Sequence, residues 1–384
     1  MLGETTIATL EARPVAGRAV LTGRLDSLTG LRFYAALLVV VTHVSRNFFG
    51  AEVGSYFSMG SVGVSFFFVL SGFVLMWSRK HGQRRADFYR NRFARVYPLH
   101  AVMLSAAVLL LVSQAGAVDW AALVACIALL QAWVPFDRFY FALNGPAWSL
   151  SCEFFFYAMF PAVAKRLVGW DAGKLLRGGA ILYGVVCVLT LAAHIVLKDG
   201  PTIGVLYVNP AYRIWEFLLG VGLGVAMRQG WRTRVRPSLA AWGTALLFVA
   251  VSALNVGITN NVGPLKSLPM QALPSDLASL ALTPCFVMLI AVVAASDLHG
   301  TRSHLASRPM VLLGQWSFAL YLSHLIVVEI IARAIPAGMS WVLALPLSLT
   351  TIAITVAVAA GLYTFIERPI EARLRAPRRR HAAI

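Results

Sequence analysis

Two ionisable residues stand in one apolar stretch, LRFYAALLVVVTHVSRNFF, running from Leu31 to Phe49. Arg32 and His43 are eleven residues apart, three helical turns plus about 20°, so they share one face of a helix. The rise between them is about 16 Å, roughly half the thickness of a bilayer core. A charge-bearing group inside a membrane span is costly and points to function by default. Two plainer roles stay open, Arg32 as an interfacial anchor and His43 as a helix–helix hydrogen bond. Glu153, Glu216 and His324 occupy three further apolar segments, and with His43 they are expected to converge on one layer in the outer half of the membrane. In NGPAWSLSCEFFFY, Ser149, Glu153 and Tyr157 recur at i, i+4 and i+8 and line one face, as Tyr321 and His324 do in SFALYLSHL. Arg32 then belongs to an anion site at one end of its helix, and His43 to chemistry deeper in the membrane.

A second basic group strengthens the anion site. DFYRNRFARVYP carries Arg90, Arg92 and Arg95 just ahead of the next apolar run. Arginine grips phosphate bidentately, so three of them beside two tyrosines suit a nucleotide-bearing anionic ligand. The usual enrichment of basic residues in cytoplasmic loops accounts for some of them equally well. No Gly-rich loop ending in Lys-Ser/Thr is present, which excludes the phosphate-cradling loop of NTPases. In GSVGVSFFFVLSGF, Gly60, Gly63 and Gly72 read as close helix packing, with Ser71 as a candidate nucleophile.

The elements that must hold these residues follow from composition. Of 384 residues 59% are hydrophobic and 13% charged, and the mean hydropathy is +0.74. Runs of about 18 to 22 mostly apolar residues can each cross a bilayer. Short alternating segments of a barrel are absent, so an all-α polytopic membrane protein is expected. The formal charge of +17 sits in short loops and in the terminal RAPRRRH, the distribution of cytoplasmic loops and not of a nucleic-acid surface. Cys126, Cys152, Cys187 and Cys285 show no paired spacing, so neither a disulfide framework nor a metal site is indicated.

Apolar runs fall near 31–50, 60–78, 96–116, 147–165, 178–197, 210–228, 238–256, 277–296, 310–333 and 340–366. A further run at 118–134 would invert the charge rule for everything after it if it crossed, so it is read as interfacial or re-entrant. About ten spans result, with eleven the alternative, and both termini cytoplasmic. Residues 1–30 lack an apolar core and form a cytoplasmic tail, 31–369 form one membrane domain, and 370–384 form a basic cytoplasmic tail. No internal repeat relates the two halves, which weakens a transporter of the inverted-repeat kind.

These motifs together resemble the type 3 membrane acyltransferases, which O-acylate carbohydrates and glycosylated natural products from acyl-CoA. The resemblance is carried in order by LDSLTGLRFYAALLVVVTH, GSVGVSFFFVLSGFVL, FYRNRFARVYP, NGPAWSLSCEFFFYAMFP, SFALYLSHL and FIERP, from residue 25 to 369. It implies an essential arginine and histidine at Arg32 and His43, an Arg-x-x-Arg pair at Arg92 and Arg95, and a functional glutamate at Glu153. Many relatives carry a valine and a second acidic residue where this chain has Cys152 and Phe154, which leaves a single carboxylate here. Some also carry a C-terminal hydrolase-like domain, whereas this sequence stops fifteen residues after Pro369 and is expected to work without one or with a partner.

The mechanism so implied uses acyl-CoA as co-substrate, with no permanently bound cofactor. Its phosphates would lie near Arg32, Arg92 and Arg95, with Arg90 beside them. His43 would take the proton of a sugar hydroxyl as that oxygen attacks the thioester, and Glu153 would orient the imidazole. A covalent route through His43 or Ser71 stays open. The acceptor would be a macrolide sugar or aglycone, or a cell-envelope polysaccharide, with acetyl as the acyl group. A transporter or flippase for a glycan, and a membrane sensor or scaffold with a structural polar core, are the competing classes. Nothing in the sequence indicates the oligomeric state.

Overall fold

A computed structural model describes residues 24–80, 82–197, 202–267, 271–301, 303–335 and 340–375. The long apolar runs fold as helices because each helix satisfies its own backbone polar groups, the condition for crossing lipid. In chain order these are α1 (Asp26–Phe48), the short α2 (Gly50–Phe57), α3 (Gly63–Trp77) and α4 (Arg85–Ser113). Two short helices, α5 (Trp120–Ile127) and α6 (Asp137–Tyr140), precede α7 (Trp148–Leu167) and α8 (Ala172–Leu197). The remainder are α9 (Pro210–Arg228), α10 (Pro237–Thr259), α11 (Ser275–Leu298), α12 (Arg308–Arg333), α13 (Trp341–Leu362) and α14 (Arg368–Leu374). Among the described residues there is no strand.

Nine of the described helical segments are long and apolar enough to cross a membrane, so this is a multi-pass membrane protein. The tenth expected span, α9, is 19 residues long but carries Arg213 and Glu216 inside it. Both side chains are fully buried, so α9 hides its charge within the bundle, against α3, α7, α8 and α11. The segment 118–134 holds no helix long enough to cross. Its helix α5 has eight residues, about 12 Å of rise, in keeping with a re-entrant or interfacial element.

One boundary differs from expectation. α4 begins at Arg85 and not near residue 96, so Arg90, Arg92 and Arg95 lie within the helix and not ahead of it. Hydropathy marks only the part of a helix that lies in lipid; the three polar turns beyond it are invisible to such a reading. Pro98 sits inside the same helix without ending it.

Contacts between helix ends sort the basic stretches to one end of the bundle. Arg228 at the end of α9 donates to the carbonyls of Met76, in the last turn of α3, and Arg79, just after it, at 2.8 Å each. Gln229 reaches Trp170 O between α7 and α8 at 2.8 Å, and Arg90 reaches Leu374 O at 2.7 Å. The Ser27 amide starting α1 donates to Asp297 at the end of α11. At the opposite end Asn255 of α10 donates to Ser55 O and Ser58 Oγ, while His194 of α8 meets Asp276 of α11 at 2.7 Å.

Glycines let the central helices touch backbone to backbone, as their spacing suggested. A Cβ at Gly72 would lie 2.1 Å from Phe217 O and one at Gly220 1.9 Å from Val69 O, so α3 and α9 admit nothing larger between them. Gly60 and Gly63 press on α1 in the same way, against Leu38 O and Ala35 O. Close approach of this kind drives association where lipid is as apolar as the side chains. Gly220→Val is therefore expected to lower the yield and melting temperature of purified protein, by about 1–3 kcal/mol or more for overpacking. Gly222→Ala, whose Cβ meets nothing within 4 Å, is expected to melt as wild type does. Equal melting of both variants in detergent would contradict this packing.

Candidate active site

The site is built around the start of α7. A 3-10 turn at Gly145–Ala147 places the first residues of this helix inside the protein, with Trp148, Ser149, Leu150, Ser151 and Cys152 all buried. The carbonyls of this turn also take side-chain hydrogen bonds, which hold it in place. Here Pro146 O accepts from Ser149 Oγ at 3.1 Å and from the Tyr321 hydroxyl at 3.0 Å, and Ala147 O accepts from Gln131 at 3.0 Å. Asn144 donates to Leu322 O at 2.9 Å, and Ser151 to Leu129 O at 2.6 Å. The segment before α7 is thus tied to α12 and to itself.

This buried turn divides two cavities. The larger, about 840 Å³, lies toward the opposite end and is lined by His43, Arg46, Pro146, Trp148, Tyr207 and Tyr321 among others. The smaller, about 40 Å³, lies on the basic side and is lined by Arg32, Ser149, Glu153, Ser317, Phe318 and Tyr321 among others. Val64 and Tyr321 line both, so the wall between them is one side chain thick.

His43 faces the larger cavity. Its Nδ1 lies 2.9 Å from Val39 O, and a carbonyl can only accept, so Nδ1 carries the hydrogen and Nε2 keeps its lone pair. His324, fully buried, repeats the arrangement, with Nδ1 2.5 Å from Tyr321 O. Its Nε2 then holds a lone pair, 3.3 Å from Nδ1 of His43, and the two rings meet edge to face with centroids 4.9 Å apart. The partner of the His43 imidazole is therefore His324.

Glu153 does not take that role. Its Oε2 accepts from the Tyr157 hydroxyl at 2.6 Å, and its charge acts on Arg32. The expected single layer of His43, Glu153, Glu216 and His324 is a set of three groups. The histidines form one. Glu153, Tyr157 and Arg32 form the second, on the other side of the α7 turn. Glu216 forms the third, paired with Arg213 at 3.0 Å. Arg213 also donates to Ser65 and lies over the rings of Phe68 and Tyr207, which makes this a sealed structural pair. Depth was misjudged because α7 starts inside the bundle, so counting from a membrane surface shifts every residue along it.

The arginines of α4 also separate. Arg95 is ion-paired to Glu367 and to Glu371, the latter at 3.2 Å. Arg92 lies 6.0 Å from the ring centres of both Phe88 and Tyr157. Arg90 is exposed and holds the end of α14. Arg32 takes part in no hydrogen bond among the described residues; its charged neighbours are Arg95, Glu367 and Glu153. Glu367 and Glu371 carry no local signal of this role, because nothing near them in the chain says which helix a terminal carboxylate will meet. Arg213 stood three residues before Glu216, the spacing of a helical ion pair, and could have been found.

A family model described as an acyltransferase domain matches residues 25–364. The chain belongs to this acyltransferase family. Acyltransferase MdmB of Streptomyces mycarofaciens is 33% identical, over 90% of this chain and 91% of its own length. Exopolysaccharide production protein ExoZ of Rhizobium meliloti is 27% identical over 85% of this chain and 94% of its own. A putative peptidoglycan O-acetyltransferase of Bacillus subtilis, YrhL, is 24% identical over 90% of this chain and 55% of its own. No solved structure matches the chain.

In this acyltransferase the Arg95–Glu367 bridge reads as structural, since the Glu367 side chain is only 2% exposed. Arg95→Met leaves that carboxylate buried and unpaired, a loss of about 3–5 kcal/mol, and is expected to lower the melting temperature markedly. Arg95→Met with Glu367→Leu removes both partners and is expected to recover part of the loss, Glu371 keeping its bridge to Arg375. Unchanged melting of the single variant would free Arg95 for a ligand instead.

Proposed function

We propose that this acyltransferase moves an acyl group, in the simplest case acetyl, from acyl-CoA to a hydroxyl of a sugar-bearing acceptor, with His43 as general base. The observation that carries the reading is the hydrogen-bonded state of His43. With Nδ1–H donated to Val39 O, the Nε2 lone pair is the one left for chemistry, on a ring that lines the 840 Å³ cavity. That volume lies in the range of small-ligand sites, which bury most of their ligand against apolar walls with few polar groups. Aromatic residues Phe141, Trp148 and Tyr207 line it beside polar Asn255 and Arg46, a mixture suited to sugar rings.

The steps follow from the two-cavity layout. The acyl-CoA thioester enters from the basic end, which we read as cytoplasmic from its excess of arginine and lysine, and its carbonyl reaches the thin wall at Val64 and Tyr321. The acceptor hydroxyl, held in the larger cavity, attacks that carbonyl while its proton passes to Nε2 of His43. A C–O bond forms, the C–S bond breaks, and the thiolate leaves with a proton returned from the imidazolium. While His43 is charged, Nε2 of His324 faces its Nδ1–H and accepts from it, a neutral counterpart to the carboxylate of a triad. His324 is thus a positioning residue, and Glu153 belongs to the donor side, beside Arg32.

The relatives support an acceptor of this class, since ExoZ is named for exopolysaccharide production and YrhL as a putative peptidoglycan O-acetyltransferase. A macrolide antibiotic or a cell-envelope polysaccharide fits equally. Family membership leaves the transporter and scaffold alternatives without support. Membranes holding matched amounts of wild type and His43→Ala, given labelled acetyl-CoA and a panel of sugar-bearing acceptors, test the reading. His43→Ala is expected to accumulate normally and to lose about 10²–10⁴-fold in transfer, the range for a missing general base. His324→Ala is expected to fall between the two. Transfer by His43→Ala at the wild-type rate would remove the histidine from the chemistry.

A further inference from the structure

A second cavity at the basic end, about 250 Å³, has no part in the site described above. It lies between the end of α3 and the start of α4, and Arg79, Lys80, Arg85 and Lys165 line it over Phe88 and Phe160. No carboxylate is among its lining residues, and among the described residues none of these four cations forms an ion pair. Arg228 adds a fifth positive charge close to Arg79. The two rings stack at 5.2 Å and form an apolar floor. Gly82 and Gln83 also line the cavity, just before the N-cap of α4. That 29-residue helix has no side-chain cap, so its first amides also face this end, with Asp87 of its first turn the one acidic residue there and outside the cavity lining.

The arginines first expected to hold phosphate are differently engaged. Arg95 is bridged by two carboxylates, Arg32 faces Glu153 and Glu367, and Arg92 stacks on aromatic rings. A cation already neutralised in a buried site gains little from a phosphate. Free cations in an open cavity gain more, because Arg and Lys form charge-assisted bonds to phosphate oxygens. The two regions are also connected. Arg85, Phe88, Arg92 and Arg95 recur at i, i+3, i+7 and i+10 along one side of α4, so about 15 Å of helix joins the cavity to the pocket of Arg32 and Glu153.

We infer that this cavity binds the phosphate-bearing nucleotide end of the acyl-CoA donor, with Arg85 and Lys165 gripping its phosphates. The flexible arm of the donor then follows α4 past Arg92 to the pocket where the thioester reacts. This rests on the reading of acyl-CoA as the donor. Arg32 and Glu153 are left to the acyl end and not to the phosphates.

The test is binding by full-length protein in phosphatidylcholine nanodiscs, with coenzyme A, adenosine 3′,5′-bisphosphate and pantetheine as separate probes. Arg85→Gln with Lys165→Gln is compared with wild type and with Lys174→Gln, which removes a charge at the same end but outside the cavity. The double variant is expected to bind coenzyme A and the bisphosphate about tenfold more weakly or worse. Its pantetheine binding and melting temperature should be unchanged, and Lys174→Gln should match wild type. Equal binding of coenzyme A by wild type and the double variant overturns the subsite alone. Equal weakening by Lys174→Gln reduces the effect to general charge and overturns it too. If the double variant keeps coenzyme A but loses retention of phosphatidylglycerol in mixed nanodiscs, the cavity is a lipid-headgroup site and the inference fails. Wild type that binds none of the probes overturns the acyl-CoA reading, and the subsite with it.

Discussion

The arrangement depends on α7 beginning inside the protein. Its first five residues are buried, so the turn that leads into it must be held in one place. Ser149, Gln131 and Tyr321 hold it by donating to the carbonyls of Pro146 and Ala147. Asn144 fastens the preceding loop to α12. Because the turn is held in this way, it can act as a partition, with His43 and His324 on one side and Arg32 and Glu153 on the other. Tyr321 both ties the turn in place and forms part of the wall between the cavities. A single side chain therefore both anchors the turn and stands between the two cavities.

Charge inside the bundle follows the same logic. Arg213 and Glu216 neutralise each other beside Ser65 and Thr283, and Arg95 is neutralised by Glu367 and Glu371 from the C-terminal helix. Such pairs are poor sources of net stability, but losing one partner is severe. They fix which helices meet. The histidine pair differs, since each ring bonds a carbonyl of its own helix through Nδ1 and not a carboxylate. Paired charges hold the fold together, and the nitrogen that each ring leaves over is the one the proposed proton transfer uses.

Much of this was legible in the sequence. Apolar runs fix the spanning helices because lipid allows little else, and the rarity of ionisable residues in such runs singles out His43, Glu153, Glu216 and His324. Their partners were not legible. Glu153 was assigned to His43 on the assumption that α7 starts at the membrane surface, and only the tertiary path of residues 118–147 shows that it starts deeper. Likewise the polar first turns of α4 carry no hydropathy mark, so Arg90, Arg92 and Arg95 looked like a loop. Glycine spacing at Gly60, Gly63 and Gly72 was readable because close backbone approach has one sequence solution.

The central claim is that donor and acceptor meet from opposite sides of one partition. Its most direct test is transfer across a sealed membrane. Proteoliposomes of uniform orientation would receive labelled acetyl-CoA on one side only, with sugar-bearing acceptors confined to the other. The account predicts labelled acceptor when acetyl-CoA faces the basic end, and none when the two substrates are exchanged. Transfer that requires both substrates on the same side would contradict it.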